Sequence, residues 1–191
     1  DSTGGAAWTV GATSTPYVNL RLGASGMTWT GGAAMGTTTL NVNPIVNDSQ
    51  TWALGAYNAL AVAGGATIIG GQTLTITRGG TAADSSGNMS FGGGVTLKPG
   101  ATLNISETNV ASMAATNVGG ISGSMAINYS TVNFTANQGA RVIFGSSSAI
   151  IPSAGSATLS FTRGTGTTPN PTWVLDSIVA RGAHATLSMA T

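Results

Sequence analysis

Short segments in which apolar and polar residues alternate recur along the whole chain, and clusters of Gly, Ser, Asn or Pro separate them. Alternation of this kind over a few residues is typical of half-buried β-strands. It is seen in residues 17–22, 103–105 and 187–189, and in many segments between them. Helix signals are nearly absent, because the 29 Gly residues interrupt the chain about every six or seven positions. The sequence therefore predicts an all-β protein.

The spacing of these segments narrows the choice of all-β fold. Apolar doublets fall about 8 to 12 residues apart, which suits either a sandwich of hairpins or the short faces of a solenoid. The Asn-Gly and Asp-Gly dipeptides of tight hairpins do not occur, whereas Gly-Gly recurs, for example at 64–65 and 92–94. This favours a parallel β-helix with coils of roughly 20 to 25 residues. The alternative is a β-sandwich, similar to a pilin, that exchanges strands.

The low content of charge excludes several functions. Only 6% of the residues are charged, with 6 Lys and Arg against 5 Asp and Glu. So few basic residues cannot form the positive surface that binding of nucleic acid requires. No apolar run is long enough for a transmembrane helix. The chain has no Cys, which excludes disulfides, thiolate metal sites and a Cys nucleophile.

The acidic residues offer no pair for acid–base catalysis. None lies within ten positions of another; they are Asp1, Asp48, Asp84, Glu107 and Asp176. In a β-helix, Asp48, Asp84 and Glu107 would have to stack to form a carboxylate cluster, and their unequal spacing argues against it. Solvated turns are the simpler interpretation. Residues 84–88 lack the alternating acidic ligands and the final Glu of a calcium loop, so a turn explains them better.

His184 is the only histidine, which excludes a site built from several histidines. A hydrolase triad would need Asp176, His184 and a serine to converge, and no G-x-S-x-G elbow is present. We therefore predict no catalytic residue, no metal ligand and no cofactor, and the chain is predicted not to be an enzyme.

Two further sets of residues could serve binding or modification. Widely spaced aromatic residues are core anchors or end caps, or else a platform that stacks on sugars: Trp8, Tyr17, Trp29, Trp52, Tyr57, Tyr129 and Trp173. Asn-x-Ser/Thr triplets mark possible glycosylation sites: Asn47, Asn88, Asn104, Asn128 and Asn133.

Residues 47–106 carry a family resemblance. Asn-Asp-Ser-Gln-Thr-Trp at 47–52 is followed by Leu-Ala-Val-Ala-Gly at 60–64, Ile-Ile-Gly-Gly at 68–71 and Gly-Val-Thr-Leu-Lys-Pro-Gly at 94–100. This order resembles the autotransporter-associated β-strand repeats of large bacterial surface proteins. The resemblance implies a right-handed β-helix outside the cell with a structural or adhesive role. It brings no catalytic residues, and the repeat departs from the family pattern after Ile76.

These observations predict an exported structural protein, a building block of a bacterial surface filament, layer or matrix that self-assembles through strand edges. A carbohydrate-binding or adhesive β-helix is the alternative, and a polysaccharide-active enzyme is a weaker one. Residues 1–16 are expected to form an N-terminal extension that donates or caps a strand, and 17–191 a single all-β domain. The expected partners are copies of the chain and surface glycans.

The chain begins at Asp1 without a Met or a leader, so we expect it to reach the cell surface or the extracellular space after removal of a signal peptide. Strands near the two ends are the candidates for contacts between copies. Their apolar residues are Trp8, Val10, Val18, Leu20, Leu22, Leu187 and Met189.

Overall fold

The computed structural model describes residues 8–11, 13–29, 36–55, 58–78, 89–107, 117–121, 125–136, 141–144, 150–163, 172–175 and 186–190. Twenty β-strands and no helix occur in this part of the chain. In chain order they are β1 (Trp8–Val10), β2 (Val18–Leu22), β3 (Met27–Trp29), β4 (Gly36–Leu40), β5 (Val42–Val46), β6 (Gln50–Leu54), β7 (Asn58–Val62), β8 (Ala66–Ile68), β9 (Thr73–Arg78), β10 (Met89–Phe91), β11 (Val95–Leu97), β12 (Thr102–Glu107), β13 (Asn117–Ile121), β14 (Met125–Asn128), β15 (Thr131–Ala136), β16 (Arg141–Phe144), β17 (Ile150–Ala154), β18 (Ser156–Arg163), β19 (Thr172–Leu175) and β20 (Thr186–Ala190). The prediction of an all-β chain is confirmed.

The strands form three parallel sheets that the chain visits in turn. The first sheet has the order β1-β4-β7-β10-β13-β16-β19, the second β17-β14-β11-β8-β5-β2, and the third β20-β18-β15-β12-β9-β6-β3. Consecutive strands thus enter different sheets, and each strand pairs in parallel with the strand one coil away. This is a parallel β-helix, the fold that the recurring Gly-Gly and the missing Asn-Gly and Asp-Gly dipeptides favoured. The alternative of a β-sandwich is wrong, because its hairpins would pair consecutive strands antiparallel.

The coils are longer and less uniform than the spacing predicted. Ile45 pairs with Thr67, 22 residues further on, whereas Arg141 pairs with Thr172, 31 residues further on. The connection from the third sheet to the first accounts for much of this variation. It has three residues between β6 and β7 but ten between β9 and β10. A connection between strands can grow at little cost in free energy, because loop-closure entropy rises slowly with length.

The core consists of apolar side chains that stack from coil to coil. In the third sheet, Leu74, Leu103, Val132 and Leu159 lie in one register and are fully buried. The neighbouring column contains Phe134 and Phe161, whose rings stack with centroids 5.6 Å apart. Burial of one such side chain contributes about 1.5–3 kcal/mol. Regular columns of buried residues therefore fix the register of the sheet.

Close backbone approach requires glycine at the corner between the first and second sheets. A Cβ on Gly93 would lie 2.6 Å from the carbonyl carbon of Gly64 and 2.9 Å from the Cα of Gly65. A Cβ on Gly64 would likewise lie 2.8 Å from the carbonyl carbon of Val42. The Gly-Gly pairs at 64–65 and 92–93 are therefore sites of contact between stacked corners.

No helix in the described ranges is long and apolar enough to cross a membrane.

Candidate functional site

The first coil, formed by β1, β2 and β3, is an open end of the β-helix. Among the described residues, each of these strands pairs on one side only: β1 with β4, β2 with β5 and β3 with β6. All three sheets therefore end at the same level. Backbone N–H and C=O groups on the outer side of these strands lack a neighbouring strand in the described part of the chain, and such edges accept further strands readily.

Three apolar side chains are exposed at this end: Val10 by 44%, Val18 by 64% and Leu20 by 36%. They occupy core positions, because Val10 is in register with Leu40 and Val18 with Val42. Leu40 and Val42 are each only 3% exposed. Residues at equivalent positions are thus buried in the second coil but exposed in the first. We call Val10, Val18 and Leu20 the open apolar end.

Polar side chains attach the first coil firmly to the second. The Nδ2 of Asn43 donates hydrogen bonds to the backbone oxygen of Tyr17 (2.8 Å) and to the Oδ1 of Asn19 (3.2 Å). The Nη1 of Arg21 donates to the Oδ1 of Asn47 at 3.2 Å. These bonds join residues 24 to 26 positions apart. The first coil is therefore a well-supported surface on which another β-strand layer can stack.

The candidate assembly residues lie at both ends of the β-helix. Leu22 is half-buried on β2, and Trp8 lies on β1, which pairs with Thr38–Leu40 of the same chain. Leu187 and Met189 lie on β20, the last strand of the third sheet, where Met189 is in register with Leu159. The side chains of Trp8, Leu187 and Met189 lie outside the described part. Their role in assembly stays a prediction, as does the division into residues 1–16 and 17–191.

The titratable residues fall in scattered places. Asp48 is exposed in the turn between β5 and β6, and Glu107 ends β12. Asp1, Asp84, Asp176 and His184 lie outside the described residues, as does the segment 84–88. In the ranges that the structure describes, no three His, Cys, Asp or Glu side chains group to hold a metal ion.

The aromatic residues divide between core and surface. Trp52 is fully buried, and its Nε1 donates to the Oε1 of buried Gln50 at 3.0 Å. Tyr17 is half-buried, whereas Tyr129 is 57% exposed. Tyr57 and the side chains of Trp8, Trp29 and Trp173 lie outside the described part. Trp52 is thus a core anchor, and Tyr129 is an aromatic side chain available at the surface.

Two of the possible glycosylation sites face each other. The Nδ2 of Asn133 donates to the Oδ1 of Asn104 at 2.8 Å, and both side chains point outward from the third sheet. Asn47 is half-buried and accepts the bond from Arg21. Asn128 ends β14 with its side chain outside the described part, and Asn88 lies outside the described residues. Glycosylation at these positions stays a prediction.

The sequence alone did not show which of its many Thr, Ser and Asn residues share one surface. The outer positions of the third sheet carry only Thr, Ser and Asn over four successive coils, from β9 to β18. The signal was present as recurring segments such as Thr-Leu-Thr-Ile-Thr at 73–77 and Thr-Leu-Asn-Ile-Ser at 102–106. They could be recognised as one surface only once the parallel register placed Thr73 beside Thr102.

No family model, no curated protein and no solved structure matches this chain. The resemblance of residues 47–106 to autotransporter-associated repeats therefore stays a prediction. The geometry of the chain itself is the basis on which its function can be inferred.

Proposed function

We propose that this chain is a structural protein rather than an enzyme, a module that stacks end to end with copies of itself in an extracellular or cell-surface filament, layer or matrix. The observation that carries the proposal is the open apolar end. Val10, Val18 and Leu20 stand in core columns, yet they are exposed. Covering each by a further coil would contribute roughly 1–2 kcal/mol.

The direction of the strands supports stacking from head to tail. All strands of one sheet run in parallel, so the first coil of one copy can follow the last strands of another as the next rung of the same sheets. Such a contact joins two different surfaces and does not close on itself, which produces filaments rather than dimers. The net charge of +1 provides little repulsion between copies.

The proposal is tested by placing a charge in the open apolar end. Val18→Lys leaves the internal core intact, because Val18 is 64% exposed in the single chain. We expect the natural chain to form rods that lengthen with concentration, seen by sedimentation velocity and negative-stain electron microscopy. Val18→Lys should remain a monomer under the same conditions.

The matched control is Thr96→Lys, which adds the same charge on an outward, half-buried position of β11 in the middle of the β-helix. It should assemble like the natural chain. A natural chain that stays monomeric at high concentration would contradict the proposal. Equal assembly of the Val18→Lys variant would contradict stacking through this end.

A further inference from the structure

The outer face of the third sheet is a two-dimensional grid of short polar side chains. Twelve outward positions on β9, β12, β15 and β18 form three rows across the coils, and we call them the hydroxyl grid. The rows are Thr73, Thr102, Thr131 and Thr158; Thr75, Asn104, Asn133 and Ser160; and Thr77, Ser106, Thr135 and Thr162. All twelve side chains are half-buried or exposed.

The grid has an unbroken register. Each of its three ladders pairs six consecutive residues without a shift. By contrast, the register shifts between β13 and β16 in the first sheet and between β14 and β17 in the second. The third sheet therefore holds its outward side chains at regular intervals, about 4.8 Å from strand to strand and about 6.7 Å along each strand.

The side chains of the grid are held in place before any ligand arrives. In the middle row, Asn133 donates to Asn104 at 2.8 Å, and the Nδ2 of Asn104 donates to the Oγ1 of Thr75 at 3.3 Å. The threonines have few rotamers because they are β-branched. The inner face of the same strands packs into the column of Leu103 and Val132, which is fully buried. Binding to the grid therefore costs little conformational entropy.

The chemistry of the grid restricts the kinds of ligand that it can bind. None of the twelve side chains is charged, so the grid itself offers an ionic ligand no opposite charge. None is aromatic, so a sugar ring would find nothing to stack on, and the described aromatic side chains of this sheet, Trp52, Phe134 and Phe161, are buried in the core. What the grid offers is hydroxyls and amides that both donate and accept hydrogen bonds, with threonine methyl groups between them. An uncharged, flat and periodic hydrogen-bonding partner fits these properties.

We propose that the hydroxyl grid binds the surface of ice. Water molecules can bridge neighbouring hydroxyls. On this grid they would fall into rows with the spacing of the grid, and we infer that such an ordered layer joins a growing crystal of ice. The absence of charge matters, because a charged side chain would hold a hydration shell that does not fit the lattice. A surface of ice also repeats regularly in two dimensions, as the grid does over its four coils.

The test measures partition of the 191-residue chain into ice that grows slowly on a cooled probe. We expect the natural chain to enter the ice, and Thr131→Lys to be excluded from it at least tenfold more strongly. Thr96→Lys, on the outer face of the second sheet, carries the same charge and should partition like the natural chain. Far-UV circular dichroism verifies that each variant is folded.

Exclusion of the natural chain from ice to the same extent as Thr131→Lys would overturn the proposal. Binding of the natural chain to powdered crystalline cellulose or chitin without partition into ice would also overturn it, and would assign the face to a polysaccharide. The open apolar end is a separate surface, so Val18→Lys should partition like the natural chain. The result on ice can therefore be interpreted whether or not the chain assembles.

Discussion

The side-chain Oδ1 of Asn43 accepts a hydrogen bond from the backbone N–H of Gly65, 22 residues further along the chain, at 3.1 Å. The Nδ2 of the same side chain donates in the other direction, to Tyr17 and Asn19 of the first coil. One amide thus bonds to the coils on both sides of its own. Because Gly65 must approach the neighbouring corner closely, its N–H needs a compact acceptor at this position.

Replacement of Asn43 by Ala should destabilise the first coils by about 2–3 kcal/mol, because it removes three hydrogen bonds and leaves the partly buried N–H of Gly65 without this acceptor. Hydrogen exchange should show the effect, with faster exchange near the first coil than at β15. Asn43→Asp keeps an acceptor for Gly65 but places a carboxylate oxygen against the backbone oxygen of Tyr17, so its loss should be at least as large as that of Asn43→Ala. Equally fast exchange along the whole chain in Asn43→Ala would contradict a local stabilising role of Asn43.

Glycine at the corner of the first and second sheets is required by contact rather than by backbone conformation. Gly93→Ala should cost about 3 kcal/mol, because the added methyl would meet the backbone of Gly64 and Gly65, which cannot rotate away. Gly71→Ala is the matched control. Gly71 has a φ of 74° with open space around it, so only the left-handed conformation is penalised, by about 1 kcal/mol. Urea unfolding measures both variants, and equal losses would refute the steric explanation.

Gln50 occupies a core column, in register with Leu74, and accepts a hydrogen bond from the indole of Trp52. Gln50→Ala should destabilise the protein by about 2–3 kcal/mol, since it removes this bond and leaves a cavity. Gln50→Leu fills the cavity but does not restore the bond, so we expect a loss of about 1 kcal/mol. Urea unfolding monitored by tryptophan fluorescence provides the measurement. The control is Thr51→Ala, at an exposed neighbouring position, which should change stability by less than about 0.5 kcal/mol. A Gln50→Leu variant as unstable as Gln50→Ala would show that the cavity does not contribute to the loss.

The sequence pattern predicted the type of fold because alternation of polar and apolar residues has the same period as a strand. The pattern was misleading where the alternation of apolar and polar residues continues through a corner between two strands. Residues 40–42, Leu-Asn-Val, look like one strand, yet β4 ends at Leu40, β5 begins at Val42, and Asn41 turns the chain between two sheets. The backbone N–H of Asn41 donates to Val10 on the previous coil at 2.7 Å. Corners of this kind depend on contacts between coils, and the pattern of neighbouring residues in the sequence does not reveal such contacts.

The candidate sites were harder to predict than the fold for a related reason. Val18 and Val42 have the same residue type and share a register, but one is 64% exposed and the other 3%. The two valines differ in exposure because Val18 lies in the first coil, which no other described coil covers on its outer side, and no local signal carries that information. The rows of the hydroxyl grid depend likewise on a register of 29 residues between β9 and β12, which no local pattern reveals.

The proposed assembly should be nearly independent of ionic strength. Its contacts are the apolar side chains of Val10, Val18 and Leu20 and the backbone edges of the first coil, and neither is screened by salt. Sedimentation velocity at about 0.01 M and about 0.5 M sodium chloride should therefore give the same distribution of rods, while sulfate should lengthen them, because it strengthens burial of apolar surface. Rods that dissociate in sodium chloride would point to Arg21 or Asp48 as the contact and would move the interface away from the open apolar end. Arg21→Gln separates the two cases, since it removes a charge of the first coil and should leave stacking through apolar contacts unchanged.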